Sequence, residues 1–107
     1  MINYDGRRFR NPDSDDGVVA RYYQRGDLVW ASFAGGKVRR GALNGLCDAN
    51  GVLHLAYTMV LHGGDIVSGF TRSEPEPSDG GPLRLREEWE RYGPNASSGI
   101  SYLEEIR

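Results

Sequence analysis

Glu87 is the side chain in this sequence that most invites a chemical role. An alternating pattern across Leu83, Leu85, Glu87 and Trp89 turns it to the same face as three large apolar residues, where an unpaired carboxylate is costly to bury. It therefore needs a partner. Burial raises a carboxyl pKa and poises the group as a general acid or base; a neighbouring Arg72 or Arg40 would pull it down and make the residue part of a structural ion pair. The residue types leave both open. Trp89, Tyr57 and Phe33 can line a ligand cavity and hold an apolar or planar compound, with Ser73, Glu87 and Ser101 orienting it. The plainer alternative is that these aromatics are packed core.

Other reactive residues carry weaker signals. His54 and His62 have no third ligand at metal spacing, so no metal site is expected. Cys47 stands seven residues before His54, but no Asn or Asp arrangement suggests an activated nucleophile, and an inert buried thiol is the expectation. Arg25-Gly26-Asp27 sits between two strand-like segments and reads as a turn rather than as an adhesion motif. Asn95-Ala96-Ser97 reads as a chance match to a glycosylation acceptor. Trp30 is either core or an exposed oligomer contact. No cofactor signature is present, and none is expected.

The elements that must position these residues are announced by glycine. Arg25-Gly26-Asp27, Gly35-Gly36, Asn50-Gly51, Gly63-Gly64 and Gly80-Gly81 each separate two stretches rich in β-formers, the pattern of a β-meander. Segments predicted as strands are Ile2–Phe9, Val18–Gln24, Leu28–Ala34, Lys37–Asp48, Val52–Leu61, Asp65–Ser73 and Ile100–Ile106. Asn11–Gly17, Glu74–Gly81 and Tyr92–Gly99 read as loops. In Val52–Leu61 the alternation is plain, with Leu53, Leu55, Tyr57, Met59 and Leu61 on one face. In Asp65–Ser73 two sets, Ile66, Ser68 and Phe70 or Val67, Gly69 and Thr71, compete for the inner face. Leu83–Tyr92 has a helical reading too, bounded by Pro82 and Gly93-Pro94 and supported by Arg84/Glu88, Arg86/Glu90 and Glu87/Arg91 pairs. The strand reading gives the cleaner faces. Eight strands joined mostly by short turns predict an all-β, antiparallel up-and-down meander closing into a roughly eight-stranded barrel, just wide enough to be filled by side chains or to hold one small ligand.

Composition narrows the classes of function. At 107 residues, spanning 1–107 as a single β-barrel domain, the chain has 38% hydrophobic residues and 15 glycines. With 13 basic and 15 acidic residues in both halves, it has no basic field with which to hold nucleic acid or a membrane surface. A lone cysteine, and no apolar stretch of secretory or membrane-spanning length, lead to the expectation of a cytoplasmic protein.

Asn3-Tyr4-Asp5-Gly6 with Phe9, Ala34-Gly-Gly-Lys-Val38, Gly41-Ala-Leu-Asn-Gly45, Leu85-Arg-Glu-Glu-Trp89 and the Gly99-Ile-Ser-Tyr-Leu-Glu-Glu-Ile106 end together resemble a family of small bacterial proteins with an avidin-like fold. Members of that family are often labelled N-acetylglutamate synthases. Such an activity implies a coenzyme pyrophosphate cradle, signalled by Arg or Gln, two residues, Gly, one residue, then Gly or Ala. No Arg or Gln here is followed by that spacing, so the activity is not expected. Three readings remain: a non-catalytic binder of a small apolar or planar ligand, a cofactor-free isomerase or cyclase using Glu87, and an interaction module with a packed interior, whose outer face forms a homodimer.

Overall fold

A computed structural model describes residues 2–14, 16–76 and 80–107. Among these the chain forms eight strands and no helix: β1 Arg8–Arg10, β2 Val19–Arg25, β3 Leu28–Gly35, β4 Val38–Cys47, β5 Leu53–Leu61, β6 Ile66–Pro75, β7 Arg84–Arg91 and β8 Ser97–Ile106. Each strand pairs antiparallel with the next, and β8 returns to β1, so the meander closes into a barrel. Closure removes both sheet edges.

Turn chemistry sets the corners. Gly26 and Asp27 form a two-residue turn that pairs Arg25 with Leu28, and Gly26 takes a φ of 60° that an L side chain rarely adopts. At the β4–β5 corner Asp48 Oδ1 accepts from the backbone N–H groups of Asn50 (2.8 Å) and Val52 (3.1 Å), closing an Asx-type turn.

The strand expected over Ile2–Phe9 is a correction: only Arg8–Arg10 joins the ladder, and the chain before it wraps across one end of the barrel. Tyr4 explains the departure. Its side chain is completely buried, its hydroxyl donates to the Gly51 carbonyl at 2.6 Å, and its N–H donates to Gln24 Oε1 at 2.9 Å. Burying that ring, worth on the order of 2 kcal/mol, together with the two Tyr4 hydrogen bonds offsets the ladder rungs that the segment forgoes. Burial also pushes the Tyr4 phenol well above its usual pKa. The seam between β1 and β8 is fastened by Arg7 Nη1 to Glu105 Oε1 at 2.8 Å, while the Glu105 N–H donates to the Leu83 carbonyl and so extends the β7–β8 pairing.

Leu83–Tyr92 resolves as strand. Leu85 is fully buried, while Arg84, Arg86, Glu88 and Glu90 form the outer row. The ion pairs that a helix would have made four residues apart are replaced by Arg86–Glu88 at 2.6 Å and Arg84–Glu76 at 3.1 Å. On β6 the inner set is Val67, Gly69, Thr71 and Ser73, with Ile66 and Phe70 outside. β6 reaches Pro75, beyond its expected end, and β8 starts at Ser97, inside the expected loop, because Ser97 and Ser98 pair with Arg91 and Glu90. Of the expected Glu74–Gly81 loop, Pro77, Ser78 and Asp79 lie outside the described residues.

Candidate functional site

The barrel interior is packed at one end and open at the other. At the closed end Tyr4, Phe9 and Tyr22 pack ring against ring, with centroids 5.1 to 6.5 Å apart, over Val29, Leu53 and Leu85. Toward the other end lies a cavity of about 280 Å³. That is close to the lower edge of the range of roughly 300–1,000 Å³ typical of small-molecule sites.

The cavity exists because three aromatic residues face glycines. Phe33 is paired across the ladder with Gly41, Tyr57 with Gly69 and Trp89 with Gly99. Each aromatic side chain lies against its glycine: a Cβ built on Gly99 would sit 2.7 Å from Trp89 Cζ2, one on Gly41 would overlap the Phe33 ring, and one on Gly69 would overlap the Glu90 backbone carbonyl and sit 2.6 Å from Tyr57 Oη. Glycine thus lets the rings become wall rather than filling. Asn11, Asp16 and Val18, between β1 and β2, join the lining, and Asp16 packs on the Gly35–Gly36 turn, where a Cβ on Gly36 would meet Asp16 Cβ at 2.9 Å; Asp15 lies outside the described residues.

Glu87 sits toward the base. It is the register partner of both Ser73 on β6 and Ser101 on β8, and each hydroxyl donates to it, Ser73 Oγ to Oε2 at 3.1 Å and Ser101 Oγ to Oε1 at 3.5 Å. Burial raises its pKa above the ordinary glutamate value, and the two serine hydrogen bonds oppose that shift. Neither arginine considered as its partner reaches it. Arg72 is on the outer face, bound to Glu74 at 3.0 Å, and Arg40 is also exposed on the outside of β4. Inner and outer positions alternate along a strand, so a residue one step out of phase cannot enter the barrel.

Of the six residues singled out for binding, Phe33, Tyr57, Glu87, Trp89 and Ser101 line the cavity. Ser73 stands behind Glu87, fully buried, and touches the interior through it. Among the lining residues that escaped the sequence reading are Tyr22, Thr71 and Arg91. The Tyr22 hydroxyl and Thr71 Oγ1 are buried without a hydrogen-bond partner among the described residues. Burial, reinforced by the Glu87 charge, pushes the Tyr22 phenol far up. Burial also raises the Tyr57 phenol, with the Arg91 cation opposing. Ala20-x-Tyr22 alternation was the available signal for Tyr22; for Thr71 none existed until the β6 register was known.

The remaining candidates lie elsewhere. Trp30 is on the outer wall, stacked on Tyr23 at 5.8 Å. His54 Nε2 is 3.1 Å from Asp48 Oδ2 on the outside, and together with two backbone N–H groups it holds the Asp48 carboxyl below its usual pKa. Cys47 is buried, and burial raises its thiol pKa, the opposite of activation. Among the described residues no three His, Cys, Asp or Glu side chains gather as a metal site.

No curated protein and no solved structure matches the chain. One family model, described as avidin-like protein, matches residues 2–106. With that match over nearly its whole length and a closed eight-stranded antiparallel meander beneath it, the chain belongs to the avidin-like family.

Proposed function

We propose that this barrel is a small-ligand-binding protein that holds its ligand without turnover. The observation that carries the reading is the cavity of about 280 Å³, walled by Phe33, Tyr57 and Trp89 and ending on Glu87. An apolar or planar body fits between the rings, and the Glu87 carboxylate with Ser73 and Ser101 supplies the orienting polar group. Five strands contribute these six residues, so the site is held by the sheet and not by mobile loops. The same cavity weighs against an interaction module with a filled interior.

A second reading, proton transfer by Glu87 in a cofactor-free isomerase or cyclase, has one observation in its favour: the raised proton affinity of a carboxyl facing an apolar cavity. Thermal-shift screening of the protein against a metabolite library tests the first reading, because a ligand for the native state raises the melting temperature by mass action. Glu87→Gln then separates the two. A carrier keeps measurable ligand affinity in that variant, whereas an isomerase loses turnover. A library that shifts neither protein would refute the binding function.

A further inference from the structure

Glu87 has no cation. Its partners are two serine hydroxyls, and no arginine, lysine or histidine among the described residues forms an ion pair with it. Arg91 shares its face and lines the same cavity, its Nε also buried without a partner among the described residues, but its Cα lies four residues along the strand at about 3.3 Å per residue, on the order of 13 Å from that of Glu87, and it forms no ion pair with the carboxylate. Carboxylates buried in proteins are ordinarily paired with a cation or satisfied by several strong donors.

Two further polar groups face the same space. Tyr22 projects from β2 and Thr71 from β6; both are nine-tenths or more buried, both line the cavity, and neither hydroxyl has a partner among the described residues. Thr71 is the diagonal neighbour of Glu87, since Ser73 pairs with Glu87 and Thr71 with Trp89. Tyr22 and Glu87 line the same cavity, and burial together with the Glu87 charge raises the Tyr22 phenol. One anionic and two neutral acceptors thus converge under a wall of aromatic rings, and an ammonium group has three N–H donors and one positive charge.

Building on the reading of the cavity as a binding site, we propose that its ligand is an organic cation: a primary amine on a flat apolar body, with the ammonium group set among Glu87, Tyr22 and Thr71. The ring or chain of the ligand lies between Trp89, Tyr57 and Phe33. Ser73 and Ser101 hold the carboxylate oxygens in place and are not needed as ligand contacts. Neutral and anionic compounds of the same shape are discriminated against, because they leave the carboxylate uncompensated or add a like charge to it.

Three probes that share a phenyl ring test this: phenethylamine, 2-phenylethanol and 3-phenylpropanoate, titrated calorimetrically at pH 8 into the wild-type protein, Glu87→Gln and Tyr22→Phe. The expected result is that the amine binds the wild type at least tenfold more tightly than the alcohol, with the anion weakest. Glu87→Gln should abolish that preference while leaving alcohol binding within about twofold. Tyr22→Phe removes a hydroxyl without a partner among the described residues; with an unchanged circular dichroism spectrum as the control for folding, it should weaken the amine severalfold and the alcohol less. Equal affinity for amine and alcohol, tighter binding of the anion, or a preference that survives Glu87→Gln overturns the cation proposal while the cavity reading stands. Absence of binding by all three probes also overturns it; the cavity reading falls as well only if the metabolite library produces no thermal shift.

Discussion

The two ends of this barrel use aromatic side chains to opposite effect. At the closed end Tyr4, Phe9 and Tyr22 meet one another, and each ring fills space left by the next. At the open end Phe33, Tyr57 and Trp89 sit on β3, β5 and β7, and each meets a glycine on the following strand. Composition does not distinguish the two trios. What differs is the partner: rings packed on one another close the barrel, with Phe9 and Tyr22 bordering the cavity from that end, and rings set against glycines make its side wall.

Substitutions at the two ends should separate most in stability. Tyr4→Ala removes a fully buried ring and leaves the Gly51 carbonyl without its donor, so a loss of about 3–5 kcal/mol is expected by urea denaturation. Trp89→Ala removes a larger ring that is only partly buried against the cavity, and about 1–2 kcal/mol is expected. Equal losses would mean that Trp89 is as much core as Tyr4, and the contrast would fail.

The glycines are the next place to press. In Gly99→Ala the three atoms nearest the added methyl all belong to the Trp89 ring, at 2.7 to 3.4 Å, so the indole must swing inward. Overpacking of this kind costs about 1–3 kcal/mol. The cavity should shrink with the fold retained, seen as a change in Trp89 fluorescence and a loss of probe binding. Unaltered binding would show that the glycine does not hold the site open.

This dependence on cross-strand partners also explains what was readable in the chain. The eight strands and most of the corners were legible, because turn glycines and the alternation in Val52–Leu61 are local signals. Glu87 and Trp89 were legible once the strand pattern of Leu83–Tyr92 was preferred. The inner face of β6 was not, since its inward residues are small or polar, as a cavity wall requires, while Ile66 and Phe70 point outward. Hydrophobicity ranks those faces the wrong way round. Only the register, with Tyr57 opposite Gly69 and Leu55 opposite Thr71, decides between them. The plug residue Tyr4 was concealed for a related reason: Ile2–Phe9 has strand-like composition, and its packing against Gly51 and Gln24 spans the length of two hairpins.

A smaller effect tests whether the polar base of the cavity is kept at the expense of stability. Tyr22→Phe and Thr71→Val each remove a buried hydroxyl that lacks a partner, and each is expected to raise stability by about 1 kcal/mol. The mirror experiment at the closed end is Tyr4→Phe, where the hydroxyl does have a partner; that variant should lose about 1–2 kcal/mol. Opposite signs for two Tyr→Phe changes whose ring centroids are 6.3 Å apart would draw the boundary between core and site within one aromatic cluster.

The smallest expected change is a slope rather than a step. The Glu87 carboxyl keeps its proton to higher pH in the folded barrel than in the unfolded chain, where a glutamate titrates near about 4.3. Between that value and the raised folded value the native state binds more protons than the unfolded state, so stability falls as pH rises through the window and stays lower above it. Glu87→Gln cannot lose a proton and should flatten that part of the profile, becoming relatively more stable than wild type toward neutral pH. Asp48 works in the other direction at the surface: its lowered pKa adds stability above the unfolded value that is lost as pH falls, and it does so equally in both proteins. Subtracting the two urea-midpoint profiles between pH 4 and 8 therefore isolates Glu87. A flat difference would mean that the carboxylate is as well solvated in the cavity as in water, and that the base of the site is no drier than its mouth.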